Sequence, residues 1–236
     1  MTKIYSEKNG YDIISRDIEE NFHTYINKTK DDIKTIVIVG GYHCWEAEKY
    51  LQLYKNCKLY IFEPVPEFFN VIKQKYGSNP RCDLYNIAIT NTVGEIDFYR
   101  TSSPGSDSIY PVIENNNNGY SFKSVFKIKV KSDKLKNIIK ENIDLLSIDV
   151  QGAELEVLKS TDLDNVSCIF AEIQMSENIK NQVYYNQCFS EDLKQHLDEK
   201  FSLHSLGLDN ELKNGTGNSF WIKKSKICII QEASIK

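Results

Sequence analysis

Apolar residues in this chain fall into short unbroken runs, separated by stretches in which they recur every three or four positions. The first pattern predicts buried strands and the second amphipathic helices. The runs are TIVIV from Thr35, Leu59 to Phe62, CDLYNIAIT from Cys82, Leu145 to Ile148, and NVSCIFAEIQ ending at Gln174. Helical spacing follows most of them: Ala47, Tyr50, Leu51 and Tyr54; the stretch from about Pro66 to Tyr76; Leu155, Val157 and Leu158; and SEDLKQHLDEKF, capped by Ser190. VGEIDFYR and FKIKVKS alternate as extra strands, and FSLHSLGL and NSFWIKKS close the chain as two more. Strands alternate with helices, so a mostly parallel α/β sheet is expected, in one domain spanning 1–236. Residues 1–30 carry Ile14, Ile18, Phe22, Tyr25 and Ile26 at helical spacing and read as a helical cover. The polar stretches 101–120 and 175–189 read as substrate-side loops, the first as a lid.

The strand ends carry the candidate chemistry. In open α/β sheets ligands bind outside the carboxyl ends of the strands. The first strand runs into Gly40-Gly41, where the backbone can bend sharply and approach a ligand, and a helix follows within a few residues. The second ends on Glu63, stopped by Pro64. Glu63 lies roughly twenty residues past Gly40, the offset at which nucleotide-binding βαβ units place a carboxylate on ribose hydroxyls. No GxGxxG pattern is present, which favours an adenosine-containing ligand without a pyrophosphate over a dinucleotide and disfavours a nicotinamide oxidoreductase. Two more strands end near acids, Asp149 before the Gly152 turn and Glu172. Asp149 can also be read as a helix cap.

Composition narrows the class without choosing a reaction. The 236 residues are 41% hydrophobic and 26% charged, ordinary for a globular domain. A net charge of −4 gives no general reason to bind nucleic acid. No apolar run is long enough to span a bilayer, and the first residues lack a signal-peptide core, so a cytoplasmic protein without membrane insertion is expected. The six scattered cysteines include no CxxC pair and read as reduced, mostly buried small side chains.

With those residues in place, the chain resembles the FkbM family of S-adenosylmethionine-dependent methyltransferases from about Thr35 to Lys223. IDLLSIDVQGAELEVLKS is similar to the family's strand running into D-x-E-G-x-E and an apolar helix, with Gln151 at the middle acid. VGGYHCWE, YIFEPVPEFF, YNIAITNTVGEIDFY, SPGSDS and AEIQ support the match. The resemblance implies a class I methyltransferase (Rossmann-like) fold: a seven-stranded, mostly parallel sheet with an antiparallel last strand and helices on both faces. It implies S-adenosylmethionine as cofactor and O-methylation of a hydroxyl, often on a sugar or natural product. By that resemblance Gly40, Gly41, Glu46, Glu63, Pro64, Asn86, Ile87, Ala88, Ser106, Ser108 and Asp149 form the cofactor site, with Glu63 on the ribose, Asn86 to Ala88 against adenine and Asp149 beside the methyl group. Glu172 falls on the acceptor side. Ile38 stands where such enzymes usually carry an acid, and Cys44 where glycine is commoner.

A sugar hydroxyl is a poor nucleophile, so a general base is expected within reach. Asp149 and Glu172 are the candidates, with His204 as a histidine alternative and Tyr110 to orient the acceptor. Asp149 and Glu172 could instead hold a divalent ion, but no His-Asp-Asp spacing stands out and no metal site is expected. The expected partners are a small-molecule acceptor, such as a nucleotide-linked or polysaccharide-precursor sugar, and at most further copies of the chain. A catalytically silent binding protein on the same fold is the alternative from a different class, motivated by Ile38 and Cys44. A non-sugar natural product is the alternative acceptor.

Overall fold

The computed structural model describes residues 32–114, 122–175, 182–208 and 216–226. The expected N-terminal helix therefore lies outside the described residues, as do 115–120 of the lid and 176–181 of the second loop. The elements in order are β1 (Thr35–Val39), α1 (Glu46–Leu53), β2 (Lys58–Phe62), α2 (Pro66–Tyr76), β3 (Cys82–Tyr85), β4 (Ala88–Ile89), β5 (Gly94–Thr101), β6 (Ser124–Asp133), α3 (Leu135–Ile138), β7 (Ile143–Ile148), α4 (Glu154–Ser160), β8 (Val166–Gln174), α5 (Ser190–Leu197), β9 (Phe201–Leu208) and β10 (Thr216–Lys223).

Seven strands form one sheet in the order β3-β2-β1-β7-β8-β10-β9, parallel except for β10, which inserts antiparallel between β8 and β9. This is the class I methyltransferase sheet that the resemblance implies. Side-chain alternation explains the layering. Ile36 and Ile38 of β1 pack with Ala47, Tyr50 and Leu51 of α1 and Ile72 and Tyr76 of α2. Val37 and Val39 point the other way, into a cluster holding Leu135 of α3, Val157 and Leu158 of α4, and Leu193 and Leu197 of α5. Both faces of the central strands are covered, which is why they read as unbroken apolar runs. No helix among the described residues is long and apolar enough to cross a membrane.

Two local readings change. CDLYNIAIT is not one strand: after Tyr85 the Asn86 amide donates to the carbonyls of Glu63 (2.8 Å) and Pro64 (3.0 Å) and turns the chain out of the ladder. Ala88 and Ile89 then join β5 and β6 in a separate three-stranded sheet, β4-β6-β5. That small sheet packs Ala88, Phe98 and Val130 against Val65, just past β2. Ser190 is the first residue of α5 rather than its cap; the Asp192 carboxylate reaches back to accept the Phe189 N–H at 2.8 Å.

Candidate active site

β1 and β7 run side by side, and their carboxyl ends touch at the glycine turn. The Asp149 N–H donates to the Val39 carbonyl at 3.0 Å. Gly40 has φ +90°, and a Cβ there would sit 1.7 Å from the Asp149 carbonyl oxygen, so only glycine fits. The N–H groups of Gly40 and Gly41 both donate to the Phe62 carbonyl, at 3.1 and 3.0 Å, clamping the turn onto the end of β2. Gly40 lines a cleft at these strand ends, whereas Gly41 faces the Ile72 and Ile61 side chains. The next residue, Tyr42, donates its N–H to Glu63 at 2.8 Å, and Val65 donates to the other Glu63 oxygen at 2.7 Å. Glu63 is thereby fixed by backbone on both oxygens while 4% exposed, and each oxygen keeps a lone pair for a ligand. Burial pushes its carboxyl up to about 7, against the two N–H bonds; Asp107 adds to the rise and Arg100 opposes it.

The cleft spans about 570 Å³, counting space open to solvent, and is lined by Glu63, Pro64, Ile87, Ala88, Asp149 and apolar neighbours. Its roof is the segment after β5, which folds back so that Ser108 pairs with Tyr99. Extended chain alternates, so Gly105, Asp107 and Ile109 face the cleft. The two serines expected at the cofactor do not line it: the Ser108 hydroxyl donates to the Gln151 carbonyl at 2.8 Å, and Ser106 lines a second cleft.

That second cleft, about 420 Å³, lies beyond Gln151 and is lined by Glu172, Gln174, Gln187, Tyr184, Phe122 and Thr216 among others. Gln151 lines both clefts. Its amide nitrogen donates to Asp149 at 2.7 Å and to Glu172 at 3.1 Å, so one side chain joins the acid of the first cleft to the acid of the second. The Tyr184 hydroxyl lies 3.0 Å from the Gln151 side-chain oxygen and 2.8 Å from the Ser106 carbonyl. Asp149 has solvent contact through the cleft, yet the surrounding protein is dense, and this enclosure raises its carboxyl. Glu172 is raised well above the usual carboxylate range by the same enclosure and by the charges of Asp149 and Glu154.

The turn between these acids is held by Glu154, which the sequence reading passed over. Its Oε1 accepts from the N–H groups of Val150 (3.2 Å) and Gly152 (3.1 Å). Burial lifts its carboxyl to about 7, with Asp149 adding to the rise. Glu154 is the last acid of the D-x-E-G-x-E stretch, so its place in that motif was the available signal. Asp107 was also missed; the alternation of SPGSDS could have found it. Asp149 is no helix cap, since α4 begins at Glu154 behind Ala153 without a side-chain cap.

Other expected site residues lie elsewhere. Asn86 is absent from the cleft lining because its amide braces the backbone after β2. Glu46 sits in the first turn of α1, off the lining. Tyr110, expected to orient the acceptor, lines neither cleft; it packs against Val112, Val183 and Tyr184, and burial pushes its phenol up to about 12. His204 lines neither cleft. It falls at the irregularity where β9 slips against β10, exposed and edge-on to Phe220, in mid-strand on the sheet's outer edge. Among the described residues no group of three or more His, Cys, Asp or Glu is disposed to hold a metal ion, and the Gln151 amide occupies the place between Asp149 and Glu172.

Strand order and the glycine turn between β1 and α1 together define the class I methyltransferase fold. The Methyltransferase FkbM domain matches residues 27–205, and the chain belongs to that family. S-adenosylmethionine is the cofactor that goes with that family. The chain is 27% identical over 124 residues to the 2-O-methyltransferase NoeI of Sinorhizobium fredii, covering 48% of this chain and 51% of that protein. It is 26% identical over 139 residues to the methyltransferase sdnD of Sordaria araneosa, covering 46% and 53%. The matches thus span about half the length of these curated relatives. In fold it is similar to the methyltransferase FkbM of Methylobacillus flagellatus, with a TM-score of 0.51 and 12% identity over 80% of this chain and 44% of that one. An rRNA methylase of Streptococcus thermophilus also scores 0.51, with 13% identity over 89% and 98%.

Proposed function

We propose that this chain is a cytoplasmic O-methyltransferase acting on a hydroxyl of a sugar, most simply a nucleotide-activated or polysaccharide-precursor sugar. The observation that carries the reading is the Gln151 bridge, which sets Asp149 and Glu172 at the junction of a largely apolar cleft and a polar one. Bound S-adenosylmethionine supplies an electrophilic methyl group. Glu63 fits its ribose, being buried, fixed by two N–H bonds and still able to accept from hydroxyls. Pro64, Ile87 and Ala88 provide apolar surface for the base, and Gly40 lets the backbone come close to the methionine portion. Asp149 faces the reacting end and Glu172 the acceptor. Between them they take the proton of the acceptor hydroxyl, with Gln151 orienting both carboxylates.

The sugar is supported by the second cleft. The side-chain amides of Gln151, Gln174 and Gln187, the Thr216 hydroxyl and the rings of Phe122 and Tyr184 suit a neutral, hydroxyl-rich ring. Neither lysine nor arginine is among the described residues lining it, so a diphosphate would extend outside. The name of NoeI, a 2-O-methyltransferase, agrees with oxygen as the accepting atom. The test is incubation of the purified chain with S-adenosylmethionine and a panel of free and activated sugars, read by mass spectrometry. A methyl gain lost in Asp149→Asn is expected; a protein that methylates only lipids or peptides would overturn the sugar assignment.

A second reading, a silent binding protein, is favoured by Ile38, whose side chain is 2% exposed in the core and offers no acid to the cofactor's amino group. Cofactor binding without turnover on any acceptor would select it.

A further inference from the structure

Most polar groups around the second cleft satisfy one another. Gln187 accepts from the Val183 and Tyr184 N–H groups at 2.8 Å each and donates to Gln174. The buried Tyr184 hydroxyl is different: it lies 2.8 Å from the Ser106 carbonyl and 3.0 Å from the Gln151 side-chain oxygen, and both of those atoms only accept. A phenol has one proton, so when one oxygen takes it the other is left short of a donor. Neither oxygen has another donor among the described residues. The ionised acids that methyl transfer needs hold the amide this way round, since turning it over would set its oxygen against those of Asp149 and Glu172.

Ser106 and Gln151 are half-buried and line the second cleft together with Glu172. The Gln151 backbone has φ +58°, costly for a residue with a Cβ, and the Ser108 hydroxyl bonds its carbonyl at 2.8 Å. Strain of this kind persists where the surroundings impose it, and here it carries the amide to the junction of the two clefts. The amide nitrogen sits on the two acids, and the oxygen beside it faces Tyr184. Two hydroxyls on adjacent ring carbons offer a matching pair of donors. We propose that the acceptor is recognised as a vicinal diol. One hydroxyl gives its proton to Asp149 or Glu172, and its oxygen takes the methyl group from the sulfonium of S-adenosylmethionine, the bonding pair staying on sulfur. The neighbouring hydroxyl is unchanged and donates to whichever oxygen, of Gln151 or Ser106, Tyr184 leaves open. This rests on the reading of the second cleft as the sugar site. It also sets an order: methylation precedes any substitution of the neighbouring hydroxyl, because an ether or ester there has no proton to give.

The test uses the full chain, S-adenosylmethionine and the methyl glycosides of mannose, galactose, glucose and any further sugar that gains a methyl group, each beside its monodeoxy analogues. Mass-spectrometric fragmentation locates the new methyl group. Removing one of the hydroxyls next to it should lower kcat/KM by roughly tenfold or more, the effect of leaving one acceptor unpaired. Gln151→Met leaves the Tyr184 proton to Ser106 alone. It should slow transfer overall yet bring diol and deoxy glycoside within about threefold of each other, whereas a positioning role alone would slow both and keep their ratio. Wild type that uses a glycoside and its neighbour-deoxy analogues equally overturns the proposal whatever the variant does, since water then supplies the second donor. So does Gln151→Met turnover with the wild-type ratio. Wild type that methylates no sugar sinks the sugar reading itself and this proposal with it.

Discussion

The two clefts are built in different ways. The cleft proposed for the cofactor is framed by backbone: Gly40, Gly41, Tyr42, Val65 and Asp149 all use main-chain N–H groups to lock three strand ends and Glu63 together. The cleft proposed for the acceptor is framed by side chains from distant segments: Tyr184 on Gln151, Gln187 on Gln174, and Gln151 on Asp149 and Glu172. A backbone frame tolerates almost no change at its glycines but is indifferent to most side chains. A side-chain frame can be re-specified by single substitutions, and this suits one constant cofactor beside a variable acceptor.

The largest effect should come from Gly40→Ala, which puts a Cβ onto the Asp149 carbonyl and demands φ +90° of a non-glycine. A loss in the exceptional range, about 4 kcal/mol or more, is expected, with cofactor binding abolished. Denaturant unfolding within 1 kcal/mol of wild type would refute the backbone frame.

Next comes Glu63→Gln, which should weaken S-adenosylhomocysteine binding by about 1.5–3 kcal/mol in a folded protein. Its pH dependence sharpens the assignment. Because burial raises the folded Glu63 carboxyl from 4.5 to about 7, the folded state holds the extra proton, so this group's contribution to stability falls as pH rises from about 4.5 to 7. Ribose hydroxyls favour the ionised form, so cofactor affinity should climb over the same window. The Gln variant should have a flatter profile in both measurements, and an unchanged slope would reject the ribose role.

Gln151→Leu removes the shared donor of two carboxylates and should cost about 1–3 kcal/mol of stability. Methyl transfer should slow sharply while cofactor affinity stays within about threefold. Equal losses in both would mean that the two clefts are not separable at this residue. The smallest effect is expected of His204→Ala, exposed and outside both clefts: stability within about 0.5 kcal/mol and unchanged turnover. A large loss of turnover would restore it as a candidate base.

Much of this contrast was legible before any coordinates. Unbroken apolar runs ending at Gly40, Glu63 and Asp149, and a fourth that carries Glu172 short of its end at Gln174, pointed to one rim, because burial on both faces of a parallel sheet leaves that mark in the chain and ligands bind at strand ends. Gly40 and Glu63 lie at the ends of β1 and β2 as read from the chain, because a turn glycine and a proline stop mark those ends locally. Ser106, Ser108, Asn86 and His204 were misplaced because their surroundings are set by distant segments: the face of the roof, the break after Tyr85 and the slip in β9.

The chain by itself determined the order of strands and helices, the acids at the strand ends and the family. Periodicity and turn chemistry act over a few residues, and a linear text records them. Only the tertiary structure decided that Gln151 joins Asp149 to Glu172, that Glu154 pins the turn and that Asp107 rather than its serine neighbours faces the first cleft. Those outcomes depend on which distant atoms come within hydrogen-bond reach, and that is set by the packing of the whole sheet.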